Sequence, residues 1–165
     1  MQIVRNGLIA AMLVLLQSAA MAAAPGTPAP AFALEGRAGP VNLAAYQGKF
    51  VYLDFWASWC APCKRSFPWM GELQKRYGEA GLQVVAVNVD TSRADAERFL
   101  AQTPAGFVVA WDPSGATAKQ YAIKGMPSSV LIDPKGQVVH VHSGYNDDSA
   151  RKIEQQIKAA LKGEK

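Results

Sequence analysis

Two cysteines separated by two residues carry the clearest chemistry in this sequence. Cys60 and Cys63 flank Ala61 and Pro62, directly after a β-forming segment and where a helix is expected to begin. Unpaired backbone N–H groups and the positive end of the helix dipole stabilise a thiolate at that place. A thiolate attacks a disulfide, and a second thiol one turn further on can close a small ring and expel the bound partner. The spacing therefore indicates dithiol–disulfide exchange.

Two other uses of the same cysteines agree less well with the sequence. They could be structural thiols, or half of a metal site completed by His140 and His142, which alternate onto one face of a predicted strand. However, a cysteine pair with a distant His-x-His pair matches no common zinc spacing, and two cysteines cannot supply four zinc ligands. We therefore expect redox chemistry, with no metal site and no cofactor.

One carboxyl group lies in the apolar segment before the cysteine pair. Asp54 stands between Leu53 and Phe55 in a predicted strand, and we expect its side chain to point beneath the helix that follows. Burial raises the pKa of a carboxyl group, which suits it to pass a proton to or from Cys63 during exchange. The alternative is a structural Asp that makes hydrogen bonds at a strand end.

The elements that must position these residues alternate between strands and helices. The Asp-Pro-Lys-Gly turn at 133–136 joins two short strands, so the last pair is expected to be antiparallel. The pattern indicates an α/β fold, with a mixed sheet that has helices on both faces. The predicted strands are 50–55, 82–89, 107–111, 129–132 and 138–141, with a hairpin within 33–43, and the predicted helices are 60–77, 93–102, 116–121 and 149–161.

The composition fits one globular domain. The chain has 165 residues, of which 50% are hydrophobic and 18% are charged, with a formal net charge of +4. This length suits a single core, and the apolar content argues against intrinsic disorder. The basic residues are scattered and form no dense run with interleaved aromatics, so nucleic acid is not an expected partner.

The first 22 residues have the pattern of a secretory signal peptide. Arg5 precedes an apolar stretch, and Ala-Met-Ala at 20–22 satisfies the small-x-small rule, which predicts cleavage after Ala22 and a mature domain over 23–165. Polar residues at 17–18 interrupt the apolar run short of the ~20 residues of a membrane span, and an uncleaved anchor is the second interpretation. We expect the periplasm, where cysteine pairs can be oxidised.

The segment around the cysteine pair, residues 51–64 (VYLDFWASWCAPCK), resembles the active-site stretch of thioredoxin-fold proteins. The wider chain is similar to the secreted TlpA/ResA-like thiol–disulfide oxidoreductases at 28–34 (PAPAFAL), 85–90 (VAVNVD) and 122–133 (AIKGMPSSVLID). The resemblance implies a thioredoxin-like fold, in which helices flank a central mixed sheet. It also implies an N-terminal β extension and an inserted βα unit within 90–111.

The resemblance assigns roles to individual residues. Cys60 matches the attacking cysteine of the family, and Cys63 matches the resolving cysteine. We expect Cys60 to be the exposed sulfur and Cys63 to be shielded by its helix. Pro127 matches the cis-proline that faces the pair, and Met126 before it can offer backbone groups to an extended substrate. Trp59 and Met126 are therefore the expected substrate-binding residues.

Four further positions enter the comparison with the family. Pro68 matches a kink in the first helix, and Gly144 matches a glycine that allows close backbone approach. Thioredoxins carry an acid at the position of Asp54 together with a lysine on the next strand, where this chain has Ala86. Without that cation, Asp54 should be harder to ionise.

Departures from the family pattern bear on the substrate. Several TlpA-like reductases have Glu at the position of Ser66, and members that act in cytochrome c maturation commonly have Glu at the position of Ser128. A thiol peroxidase needs Thr or Ser where this chain has Ala57, and Sco-type copper delivery needs one more residue between the cysteines. These departures favour a general reductase.

The sequence and the resemblance together predict a periplasmic thiol–disulfide oxidoreductase that reduces disulfides in exported proteins. The expected partners are exported cysteine-containing clients and a membrane-bound thiol electron donor of the DsbD type. We expect the protein to be a monomer. The alternatives are a disulfide oxidant or isomerase, and a copper-handling protein that uses the same cysteine pair.

Overall fold

One mixed sheet of seven strands forms the centre of the computed structural model, which describes residues 23–163. The predicted signal peptide at 1–22 lies outside the described residues. The strands are β1 (Ala33–Gly36), β2 (Val41–Asn42), β3 (Phe50–Trp56), β4 (Leu82–Asn88), β5 (Val108–Trp111), β6 (Ser128–Ile132) and β7 (Val138–Ser143). The helices are α1 (Ala61–Tyr77), α2 (Arg93–Gln102), α3 (Ala116–Gln120) and α4 (Asp147–Leu161), and a 3-10 turn spans Leu43–Tyr46.

The sheet has the order β2-β1-β5-β4-β3-β6-β7. Strands β3, β4 and β5 run parallel, whereas β6 and β7 are antiparallel, as the turn at 133–136 predicted. The β1–β2 hairpin is the N-terminal extension, and it joins the sheet through β5. The inserted unit is α2 followed by β5. The expected thioredoxin-like α/β fold is confirmed.

Two apolar cores lie on the two faces of the sheet. Side chains alternate along β3, so Tyr52 and Trp56 enter the core covered by α1, α2 and α4, whereas Leu53 and Phe55 enter the core on the opposite face. That second core also receives Tyr121, which follows α3. Because β3 is buried on both faces, its sequence is a nearly continuous apolar run.

Helix caps account for two of the differences from the predicted boundaries. The side chain of Asn42 accepts the backbone N–H of Ala45 and starts the 3-10 turn, so β2 ends before Leu43. Helix α4 begins at Asp147 rather than Ser149 because Asn146 and Ser149 form a reciprocal capping box.

None of the helices within residues 23–163 combines the length and apolar character that a membrane span needs.

Candidate active site

The cysteine pair lies where the central strand β3 passes into α1. Cys60 is the N-cap of α1, with an extended backbone at φ −86° and ψ 100°, and Pro62 occupies the first turn. The two sulfurs are joined in a disulfide, with the Cα atoms 5.3 Å apart. The backbone N–H of Cys63 donates to Sγ of Cys60 at 3.2 Å. The same N–H also donates to the carbonyl oxygen of Cys60 at 3.1 Å, and its bond to the sulfur is a contact of the kind that stabilises a thiolate.

The two sulfurs differ in their access to solvent, but less than expected. Cys60 is only 4% exposed, and Cys63 is fully buried at 0%. Cys63 is shielded, as expected, but Cys60 is buried as well and is not the exposed sulfur that we expected. Trp59, which precedes it, is 70% exposed. Access to Cys60 runs through an open cavity of about 430 Å³ between the start of α1 and α2, in whose wall Cys60 lies.

The loop before β6 lies at the same end of the sheet as the cysteine pair. Phe55 pairs with Ser128 in the antiparallel β3–β6 ladder, so the residues after Phe55 and those before Ser128 share one edge. The Met126–Pro127 peptide bond in this loop is cis. Pro127 is buried, and the half-buried Met126 packs against both cores.

The structure shows a different reason for a glycine at position 144 from the one expected. The space around it is open, because a Cβ built at Gly144 has no heavy atom within 4 Å, so close backbone approach is not the reason for glycine. Its φ is +78°, a left-handed conformation that favours glycine. In that conformation its N–H donates to the carbonyl oxygen of Pro127 at 2.8 Å. Gly144 therefore holds the proline loop.

Helix α1 runs from Ala61 to Tyr77 with Pro68 inside it. Proline removes one helical hydrogen bond at that point. The side chains of Phe67 and Met70, on either side of Pro68, are buried in the core beneath the helix. The cysteine-bearing first turn is therefore anchored by the same face of α1 that packs on the sheet.

Asp54 is 2% exposed, in the middle of β3. It shares the α1-covered face of β3 with Tyr52 and Trp56. Its Oδ2 atom has no hydrogen-bond partner among the described residues, and burial raises the pKa of Asp54 well above its usual range. The residue opposite on β4 is Ala86, so that strand supplies no cation.

A row of polar side chains extends from Asp54 towards the sheet edge. Ser129 on β6 lies opposite Asp54, and His142 on β7 lies opposite Ser129. The pKa of Tyr52, on the same face of β3, is raised first by burial and then by the charge of Asp54. Burial also lowers the pKa of His142, and His140 adds to that effect. Tyr52 on β3 and the two histidines on β7 are thus the ionisable side chains of the strands along this row.

The two histidines lie close together, with ring centroids 6.0 Å apart. Nδ1 of His140 contacts the side-chain amide of Gln156 on α4 at 3.4 Å, and Nε2 of His142 has no partner in the described part of the chain. No group of three or more His, Cys, Asp or Glu side chains within 23–163 is arranged to hold a metal ion.

Asp90 is a site residue that the sequence analysis missed. Its two carboxylate oxygens accept the backbone N–H of Ser58 at 2.8 Å and the hydroxyl of Ser58 at 2.9 Å. The side chain of Asn88 donates to the same carboxylate at 2.7 Å. Asp90 is 6% exposed and fixes the loop that carries Trp59 to the cysteine pair. The available signal was its place two residues after β4, at the same end of the sheet as the cysteines.

Removing this carboxylate should loosen the loop. In Asp90→Ala, the donors of Ser58 and Asn88 lose their acceptor in a buried setting, which costs about 1–3 kcal/mol for an unsatisfied group. We expect a lower Tm and faster amide hydrogen exchange at Ser58. The control is Glu79→Ala, an exposed carboxylate after α1. An unchanged exchange rate at Ser58 would contradict the role of Asp90.

Two buried serines stand where some relatives are expected to have glutamates. The hydroxyl of Ser66 donates to the carbonyl oxygen of Cys63 at 3.0 Å. The hydroxyl of Ser128 donates to the carbonyl oxygen of Gly125 at 2.7 Å. Both side chains bond to nearby backbone, so neither position supplies an acid to the cysteine pair.

Comparison with known proteins gives consistent matches. The model of the Redoxin family matches residues 24–158. The thiol-disulfide oxidoreductase ResA of Bacillus subtilis (strain 168) is 36% identical over 125 residues, which are 75% of this chain and 70% of ResA.

Solved structures agree with these sequence matches. A crystal structure from Chlorobium tepidum, provisionally named thiol:disulfide interchange protein DsbE, superimposes with a TM-score of 0.83 at 52% identity, over 85% of this chain and 99% of that one. The exposed lipoprotein thioredoxin Etrx1 of Streptococcus pneumoniae strain TIGR4 has a TM-score of 0.68 at 33% identity, over 78% of this chain and 98% of that one.

Proposed function

The chain belongs to the Redoxin family and is a thiol–disulfide oxidoreductase, and from that premise we propose that it reduces disulfides in exported proteins. The observation that carries the exchange chemistry is the Cys60–Cys63 disulfide at the start of α1, where the N–H of Cys63 donates to Sγ of Cys60. Because that contact favours a thiolate on Cys60, we assign Cys60 as the attacking cysteine. Cys63, fully buried one turn later, is the resolving cysteine.

The exchange runs in two steps. The thiolate of Cys60 attacks one sulfur of the client disulfide, so that a Cys60–client disulfide forms and the other client sulfur leaves as a thiolate. Cys63 then loses its proton and attacks Sγ of Cys60, which releases the second client thiolate. The client gains two electrons, and the Cys60–Cys63 pair becomes the disulfide seen in the structure.

Three neighbouring residues support these steps. Asp54, buried on the face of β3 that α1 covers, takes the proton of Cys63, because its raised pKa makes it a stronger base than an exposed carboxylate. Trp59 offers an exposed ring to the client. The backbone of Met126, beside the cis Pro127, lies at the same sheet edge and binds the client as an added extended segment.

The proposed compartment is the periplasm, reached through cleavage of a signal peptide after Ala22. The apolar N-terminal stretch and the small residues Ala20 and Ala22 support this location. A reductase needs electrons in an oxidising compartment, so we propose a membrane-bound thiol donor of the DsbD type and a monomeric protein. Exported proteins with cysteines are the clients.

Redox trapping in cells tests the reducing direction. Acid quenching followed by thiol alkylation should find the Cys60–Cys63 pair mainly reduced during normal growth, and mainly oxidised when the donor is deleted. A pool that is fully oxidised in both strains would instead support the oxidant. Purified protein should catalyse insulin reduction by dithiothreitol, and stoichiometric copper in the same sample would support the metal-handling alternative.

A further inference from the structure

The cavity beside Cys60 has charged side chains in its wall. It lies between the first turn of α1 and the outer face of α2 and has a volume of about 430 Å³. Cys60 forms part of its wall, together with Trp59, Lys64, Arg98 and Phe99. A client segment whose sulfur reaches Cys60 must therefore lie over or beside this cavity.

The basic side chains of the cavity outweigh its acidic ones. Lys64 is exposed, and no carboxylate within residues 23–163 forms an ion pair with it. Arg98 pairs with Asp95, the one acid in the cavity wall, so these two charges offset each other. Asp90 is close in sequence to this region, but its carboxylate is buried against Ser58 and Asn88 and lies outside the cavity wall. The cavity therefore carries the uncompensated charge of Lys64.

Two further basic residues lie outside the cavity wall, one on α1 and one in the loop before β6. Arg65 follows Lys64 and is exposed. Asp147 lies in the same region, since Asp147 raises the pKa of Tyr145 and Arg65 lowers it. Lys124 is exposed in the loop before the cis-proline, and no carboxylate in the described chain pairs with it. The cysteine pair is thus bordered by cations on the α1 side and on the proline-loop side.

We propose that this surface selects client segments that carry carboxylates next to the reactive cysteine, with the acidic side chain directed to Lys64 and an apolar neighbour on Trp59. This inference rests on the reductase function proposed above and specifies its substrate class. The 70% exposed ring of Trp59 provides the apolar contact at the rim. Complementary charge raises the rate of encounter, and this gain decreases as ionic strength rises.

Three disulfide-linked peptide dimers test the charge preference. Their monomers are Gly-Glu-Cys-Glu-Gly, Gly-Gln-Cys-Gln-Gly and Gly-Lys-Cys-Lys-Gly, and the reduced protein supplies the two electrons. Each rate is divided by the rate with dithiothreitol, a neutral dithiol, because flanking charges also change the intrinsic reactivity of the peptide disulfide. We expect the corrected acidic rate to exceed the glutamine rate on the order of 10-fold at low salt, with the lysine peptide slowest. The advantage should shrink towards unity in 0.5 M salt, where the Debye length falls to a few ångströms.

Variants assign the preference to the cavity. Lys64→Gln should lower the ratio of the acidic to the glutamine peptide, and Lys64→Glu should bring it below one. The ratio is the readout because Lys64 also lies near Cys60 and changes its overall reactivity. Lys75→Gln, at the far end of α1, is the matched control and should keep the wild-type ratio.

The outcomes separate the two proposals. Equal corrected rates for the three peptides, or a ratio that Lys64→Glu leaves unchanged, would overturn the charge preference while the reductase function stands. Failure to reduce any of the three peptides would instead count against the reductase function itself.

Discussion

The Cys63→Ser variant is expected to accumulate a covalent complex with its client, whereas Cys60→Ser should form none and should reduce insulin only at the uncatalysed rate. The N–H of Cys63 points at Sγ of Cys60, and only Cys60 has any exposed surface, at 4% against 0% for Cys63. Cys60 therefore makes the first bond to the client. Without the second thiol, that bond persists because no intramolecular attack releases it.

Non-reducing gels and mass spectrometry of the two variants with a disulfide-containing peptide measure this difference. Brief alkylation of the reduced wild-type protein at pH 6 gives an independent measurement, in which Cys60 should be labelled first. The double variant Cys60→Ser/Cys63→Ser controls for adventitious adducts. A trapped complex in Cys60→Ser, or earlier labelling of Cys63, would reverse the two roles.

The Asp54→Asn variant is expected to be more stable than the wild type at pH 8 and slower in exchange. Burial raises the pKa of Asp54 in the folded protein above its unfolded value of ~3.9. Ionisation in the folded state is therefore disfavoured, and the stability cost begins above pH ~3.9 and grows until the folded pKa is passed. Asn carries no ionisable group, so the variant avoids this cost, which is about 1.4 kcal/mol for each pH unit between the unfolded and the folded pKa.

The same substitution removes the base that takes the proton of Cys63. Loss of a positioned general base slows a reaction by on the order of 10²-fold, and the difference from wild type should narrow at low pH, where Asp54 is already protonated. Thermal unfolding and single-turnover disulfide reduction from pH 5 to 9 measure both effects. The pKa values of Tyr52, Tyr145 and His142 are also shifted in this part of the protein, so the comparison is made between variant and wild type at each pH.

Glu79→Gln is the matched control, since it removes an exposed carboxylate charge and should change neither profile. An Asp54→Asn variant that is no more stable at pH 8 and reduces at the wild-type rate would make Asp54 an ordinary structural residue. A gain in stability without a loss of rate would support the energetic cost of burying Asp54 but contradict its role in proton transfer.

The local sequence predicted the strands, the helices and the place of the cysteine pair. Apolar runs, turn residues and a proline such as Pro62 favour an element through their neighbours in the chain. The predicted helix over 93–102, for example, has the same boundaries in the structure, Arg93 and Gln102. The helix start at Cys60 follows from the same local rules, because capping and the helix dipole act within one turn. The roles of Pro127 and Met126 came only from the family resemblance.

Only the tertiary structure decided how the cysteine pair is enclosed. The tie between Asp90 and Ser58 joins residues 32 positions apart, and no local pattern encodes it. The 4% exposure of Cys60, the unpartnered oxygen of Asp54 and the cavity between α1 and α2 likewise depend on which side chains the sheet order brings together. The sequence by itself therefore determined the secondary-structure elements, the α/β class and the reactive thiols, because spacing and capping are short-range effects. The burial of those thiols, their access to solvent and the charge around them depend on residues that are distant in the chain. Only the packing of the tertiary structure brings those residues together.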